Sequence, residues 1–262
     1  MGRTWRKFAA AAGVLALAVA AALTAAVGAG AERPIRVTAE NLDLTFNGGV
    51  EPMRISRTKL TPIAFNISGK IRTVDGSQPP ALTEFVLETD PDGVVDARGF
   101  PACSSSSLQS KTTAAAKAAC HDAIIGSGQT SVEITFPEQR PIPMRSPLLV
   151  VNGGMHGGVT TFYLHTYFDS PVAAAVVVPV KISWVSGRYG LKSVARIPTI
   201  AGGSGSVTGF SLEIDRKITR GGKQRSIVAA RCDGVLEARG EANFADGMKI
   251  EGNVFRPCTP VD

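Results

Sequence analysis

Apolar and polar residues alternate with a period of two along most of the chain beyond residue 58. The pattern is clearest in Val159–Val185, where VTTFYLHTYF and VAAAVVVPVKISWV flank the turn Asp169-Ser170-Pro171. A period of two belongs to strands, so this stretch predicts a hairpin. A three-residue turn keeps the two strands in parity. Phe162, Leu164 and Phe168 then share a face with Val172, Val176, Val178 and Ile182. Tyr163, His165 and Tyr167 share the other face with Ala173, Ala175 and Val177. Neither face is strongly polar, and both are expected to be covered, as in a sandwich or a barrel wall.

The same reading gives strands over 60–73, 82–89, 130–136, 148–152, 191–197, 207–218, 226–231, 235–244 and 248–255. Turn signals such as Gly202-Gly203-Ser204-Gly205, Asp233-Gly234 and Asp246-Gly247 stand between them. Residues 104–119 break the pattern. Serines suited to an N-cap precede LQSKTTAAAKAA, which predicts the one substantial helix, with a weak apolar stripe of Leu108, Ala115 and Ala119. Residues 32–58 read as a polar lead-in with weak strand character at 42–46, where Asn47-Gly48-Gly49 marks a turn. The fold class expected is mainly β: an antiparallel β-sandwich or flattened barrel with one short inserted α-helix, spanning 59–262.

Residues 1–31 stand apart. Arg3, Arg6 and Lys7 are followed by an uncharged, Ala-rich run and by Ala29-Gly30-Ala31. That order is a signal peptide's and predicts export to the cell envelope or beyond, with an uncleaved membrane anchor as the alternative. The formal charge of +6 contains three basic residues and no acidic ones from this segment, so half the excess leaves with it. The remainder is too small to point to nucleic acid.

All four cysteines lie beyond the segment, and an even count in an exported chain predicts disulfides. Cys232 and Cys258 bracket a predicted hairpin, whose ends antiparallel pairing brings together. Cys103 and Cys120 form the local alternative to long-range pairing, with one difficulty. A complete helix between them would hold them about 25 Å apart, so either the helix is short and folds back or these two cysteines find other partners; the local pairing is the one expected.

Candidate chemistry is sparse. Tyr163, His165 and Tyr167 recur at every second residue beside small alanines, a stripe that could floor a groove for a ring-shaped or acyl ligand. Asp90, Asp92 and Asp96 surround a glycine turn like half of a calcium loop, but the distal glutamate is missing. His121, His156 and His165 carry no zinc spacing. Arg216, Lys217, Arg220, Lys223, Arg225 and Arg231 crowd one predicted hairpin, a patch suited to an anionic wall polymer or lipid head group. Glu84/Glu88 and Glu237/Glu241 are about 13 Å apart along their strands, too far for paired-carboxylate hydrolysis; Glu213/Asp215, about 7 Å apart, is the one plausible pair. No metal, cofactor or catalytic residue is assigned.

The strings KLTPIAFNISGKIRT (59–73), ACHDAIIGSG (119–128), LLVVNGGMHGGVTTFYLHTYF (148–168), GRYGLKSVARIPTIAGGSGSVTGFSLEI (187–214) and FADGMKIEGNVFRPC (244–258) together resemble a family of exported β-rich proteins from high-G+C bacteria with no assigned function. The resemblance covers most of 59–258. It implies an exported β domain with two cysteine pairs and supplies no site residue. The function expected is non-enzymatic: binding of a small apolar ligand, a lipid or a cell-wall polymer. A purely structural surface module or a carbohydrate-active hydrolase are the alternatives.

Overall fold

The computed structural model describes residues 34–262 apart from Val172 and the side chains of Arg220 and Lys223. The signal-peptide reading of 1–31 and the face assigned to Val172 lie outside the described residues. Twelve strands form one antiparallel sheet: β1 (Ile35–Ala39), β2 (Leu42–Glu51), β3 (Ala64–Thr73), β4 (Leu82–Thr89), β5 (Ile124–Ile134), β6 (Ile142–His156), β7 (Val159–Phe168), β8 (Ala174–Trp184), β9 (Leu191–Arg196), β10 (Gly205–Ile214), β11 (Val235–Phe244) and β12 (Lys249–Pro257). Their order is β1-β2-β3-β10-β5-β6-β7-β8-β9-β4-β11-β12. The last strand returns against the first, where Gly252 lies beneath Val37 and Ile35, so the sheet is a nearly closed barrel. The flattened barrel, not the sandwich, is the form taken.

The central hairpin sets the alternation. Phe162 stands opposite Val180, Leu164 opposite Val178, and Phe168 opposite Ala174. The connection therefore spans five residues, not three. Both lengths are odd, so the predicted faces survive. Phe162, Leu164 and Phe168 turn into the barrel with Val176, Val178 and Ile182. The stretch read as a lead-in is itself sheet: β2 pairs along the whole of β3, β1 pairs with the first half of β2, and Leu42 is buried. The glycines read as a turn, Gly48 and Gly49, lie inside β2 opposite Ile67 and Asn66.

Two apolar clusters fill the barrel's ends. Leu42, Ile71, Phe244 and Ile250 form one. Ile55, Ile227, Cys232 and Cys258 belong to the other, with Val50 packed against it. Leu42 and Val50 are near opposite ends of β2, as Ile250 and Cys258 bracket β12, so the barrel's middle lies between the clusters. The second end carries short strands: Thr61–Pro62, Val228–Ala230 and Gly93–Val95 in a small sheet, and Thr259–Val261 alongside Arg54–Ser56.

Both disulfides form. Cys232–Cys258 staples the ends of the β11–β12 hairpin, with Cα atoms 6.1 Å apart. Cys103–Cys120 closes the insert between β4 and β5, with Cα atoms 5.7 Å apart. The helix expected over 104–119 is two pieces, a single 3-10 turn at Ser105–Ser107 and α1 (Thr113–Ala119). Ser110 between them takes a positive φ of 55°, which turns the chain back and lets the cysteines meet. Two disulfides in so compact a fold belong to an oxidising, extracellular environment. Among the described residues no helix is long and apolar enough to cross a membrane.

Candidate functional site

Inside the barrel, between the end clusters, lies a cavity of about 280 Å³. Its walls are the inward residues of nearly every strand. Phe65, Leu87, Leu164, Val178 and Leu212 all face it and are only half-buried, although they point away from bulk water. A filled core buries such positions completely, as Leu149 and Val151 are buried under the insert. Eight strands enclose an interior that side chains just fill, and twelve enclose more. Several walls do not compensate with bulk: the inward positions of β8 are Val176, Val178, Val180 and Ile182, and β9 and β11 present Ala195 and Ala238. Apolar space left this way forgoes on the order of several kcal/mol of packing.

Three rings cross the barrel and fix its width. Phe85 on β4 meets Phe46 on β2 and Phe210 on β10, with centroids 5.7 and 5.6 Å apart. Glycine makes room for them. A Cβ at Gly69 would stand 2.6 Å from the Phe210 ring, and one at Gly240 would touch both Phe46 and Phe85.

Polar groups on the lining are few, and most are committed. Thr130 donates to the Gly209 carbonyl and Thr166 to that of Pro147. The Asp90 carboxylate accepts from the backbone N–H groups of Asp92 and Glu237, and burial holds it above the usual aspartate range despite those bonds. Glu237 pairs with Arg188. Arg256, which is buried, donates to the carbonyls of Gly48 and Phe255 and to the Asn47 side chain.

No protein-family model and no curated protein matches this chain.

The outer wall is the polar complement of this interior. Arg239 reaches Glu88 at 3.0 Å and Glu251 at 2.6 Å, and Lys249 reaches Glu241 at 2.9 Å. Charges at mid-wall suit a barrel standing in water; facing lipid, each would cost a few kcal/mol. The carboxylates Glu84, Glu88, Glu237 and Glu241 are all held in these outer ion pairs.

The stripe of Tyr163, His165 and Tyr167 does not floor the cavity. Its residues alternate with those that turn inward, so it lies on the outer face, where the insert covers it in part. Tyr163 packs against the cluster of Leu108, Ala116 and Cys120. His165 is fully buried, and its Nε2 lies 3.0 Å from the Lys111 carbonyl. A carbonyl only accepts, so Nε2 carries the proton, and Nδ1 is a lone pair without a partner among the described residues. Burial accordingly pushes the His165 pKa down.

The other sequence candidates are dispersed. His121 and His156 are exposed, far from forming a set with His165, and among the described residues no group of three His, Cys, Asp or Glu is placed to hold a metal ion. Asp92 pairs with Arg231 and Asp96 with Arg98 and Arg225, so the calcium-like loop is an arginine-bound turn. Those pairs also draw Arg225 and Arg231 out of the basic patch. Its remaining hairpin, Lys217–Arg220 against Lys223–Ser226, stands outside the barrel sheet.

Proposed function

We propose that this protein binds a small apolar ligand inside the barrel. One observation carries the reading: an interior lined by Phe, Leu and Val that the side chains leave unfilled, enclosed by a charged outer wall. Pockets of this kind, apolar with few polar groups, are the usual form of a small-molecule site. A module built only to pack against neighbours has no use for such space. The basic-then-apolar segment 1–31 and the two disulfides support export to the envelope or beyond as the setting, where an apolar molecule needs a carrier through water.

The test is a fluorescence titration with the neutral probe N-phenyl-1-naphthylamine. The wild-type chain is expected to bind it at about one site per chain. Leu164→Trp and Val178→Trp, which fill the lumen, are expected to weaken binding at least tenfold with the fold retained. Tyr163→Ala, on the outer face, is expected to bind normally. A wild-type chain that leaves the probe in water contradicts the reading.

A further inference from the structure

The lining narrows the class of ligand. Two hydroxyls on it, those of Ser193 and Thr89, have no hydrogen-bond partner among the described residues, whereas those of Thr130 and Thr166 are turned onto backbone carbonyls. Ser193 on β9 stands between Ile182 on β8 and Leu87 on β4. Thr89 lies two residues beyond Leu87 on the same face, opposite Leu191 and Ala238. The two are thus diagonal neighbours on adjacent strands, about 7–8 Å apart by the geometry of such pairs. Both are half-buried and open to the cavity, with Ile182, Leu87 and Leu191 beside them and the Asp90 carboxylate next to Thr89.

We propose that the bound molecule is uncharged and hydrocarbon-rich, and carries one hydrogen-bonding oxygen that Ser193 and Thr89 hold. This deepens the apolar-ligand reading above and rests on it. An oxygen placed between the two hydroxyls accepts from one and, if it is itself a hydroxyl, donates to the other, and the hydroxyls gain the partners that the protein does not provide. A charged head has no comparable seat. Asp90, itself a carboxylate held only by backbone N–H groups, would repel another, and Arg256 already donates to two carbonyls and the Asn47 side chain. An ion left without a partner in so apolar a lining is costly.

Displacement of N-phenyl-1-naphthylamine by 1-decanol, undecane and decanoate at pH 7.5 tests this on the disulfide-bonded chain. The variants are S193A, T89V and the double variant. The double variant is expected to weaken 1-decanol about tenfold and to leave undecane within twofold, since only the oxygen loses its partners. Decanoate is expected to bind the wild type at least tenfold more weakly than 1-decanol. Decanoate binding as tightly as 1-decanol would overturn the proposal. So would a double variant that weakens alcohol and alkane equally, or neither. Failure of the probe to bind the wild type at all defeats instead the reading beneath it.

Discussion

Phe85 and Phe210 lie on strands with five others between them in the sheet, yet their ring centroids are 5.6 Å apart. The contact brings opposite walls of the barrel together and leaves the remaining lumen open. Phe85→Ala removes it. The expected cost is about 2–3 kcal/mol, below the full value for a buried phenylalanine because Phe85 is half-buried. Urea unfolding measures it, and an unchanged midpoint would show that the walls are held together by other means.

Gly69 exists to admit the Phe210 ring. Gly69→Val is expected to cost about as much as Phe85→Ala, by overpacking and not by loss of contact. Combined with Phe210→Ala, the same substitution is expected to cost little more than Phe210→Ala alone. Full additivity in the double variant would contradict the assigned packing.

The two disulfides close loops of 17 and 26 residues. Each is expected to contribute about 3 kcal/mol by restricting the unfolded chain. Cys232→Ser is therefore expected to lower Tm by roughly 5–10 °C. Cys103→Ser releases the insert, and hydrogen exchange is expected to rise along β6 and β7 beneath it. Protection unchanged there would show that the insert docks without its bridge.

Much of this architecture was legible in the sequence, and the misses have physical causes. The faces of the Val159–Val185 hairpin followed from period-two alternation, which any odd-length turn preserves. The cysteine pairs followed from hairpin geometry and nearness in sequence. A short, folded-back helix followed from the Cys103–Cys120 pairing, but the place of the break did not, because alanine propensity is local and the fold-back at Ser110 answers to the disulfide. Gly48 and Gly49 resembled a turn because nothing local shows that Arg256, two hundred residues on, donates to the Gly48 carbonyl. The Tyr163 stripe drew notice as the chemically richer face, while the valines opposite it line the lumen. Only closure of the sheet reveals that they are too small to fill it.

His165 gives the fold a dependence on pH. Unfolded, the imidazole titrates near its ordinary 6.5; folded, burial holds it neutral to lower pH. The unfolded chain therefore binds more protons in the window just below 6.5, and stability falls as pH drops through it. Thermal unfolding at pH 7.5 and 5.5 is expected to show a larger drop for the wild type than for His165→Gln, whose amide still donates to the Lys111 carbonyl. Parallel drops would mean that His165 titrates as freely in the fold as in water.

Calorimetry of N-phenyl-1-naphthylamine binding at several temperatures tests the central claim most directly, because burial of apolar surface carries a negative heat-capacity change. The wild-type chain is expected to show one saturable site with that sign, and Leu164→Trp to lose it. Binding that survives Leu164→Trp unchanged, or that carries no heat-capacity change, would contradict a ligand seated inside the barrel.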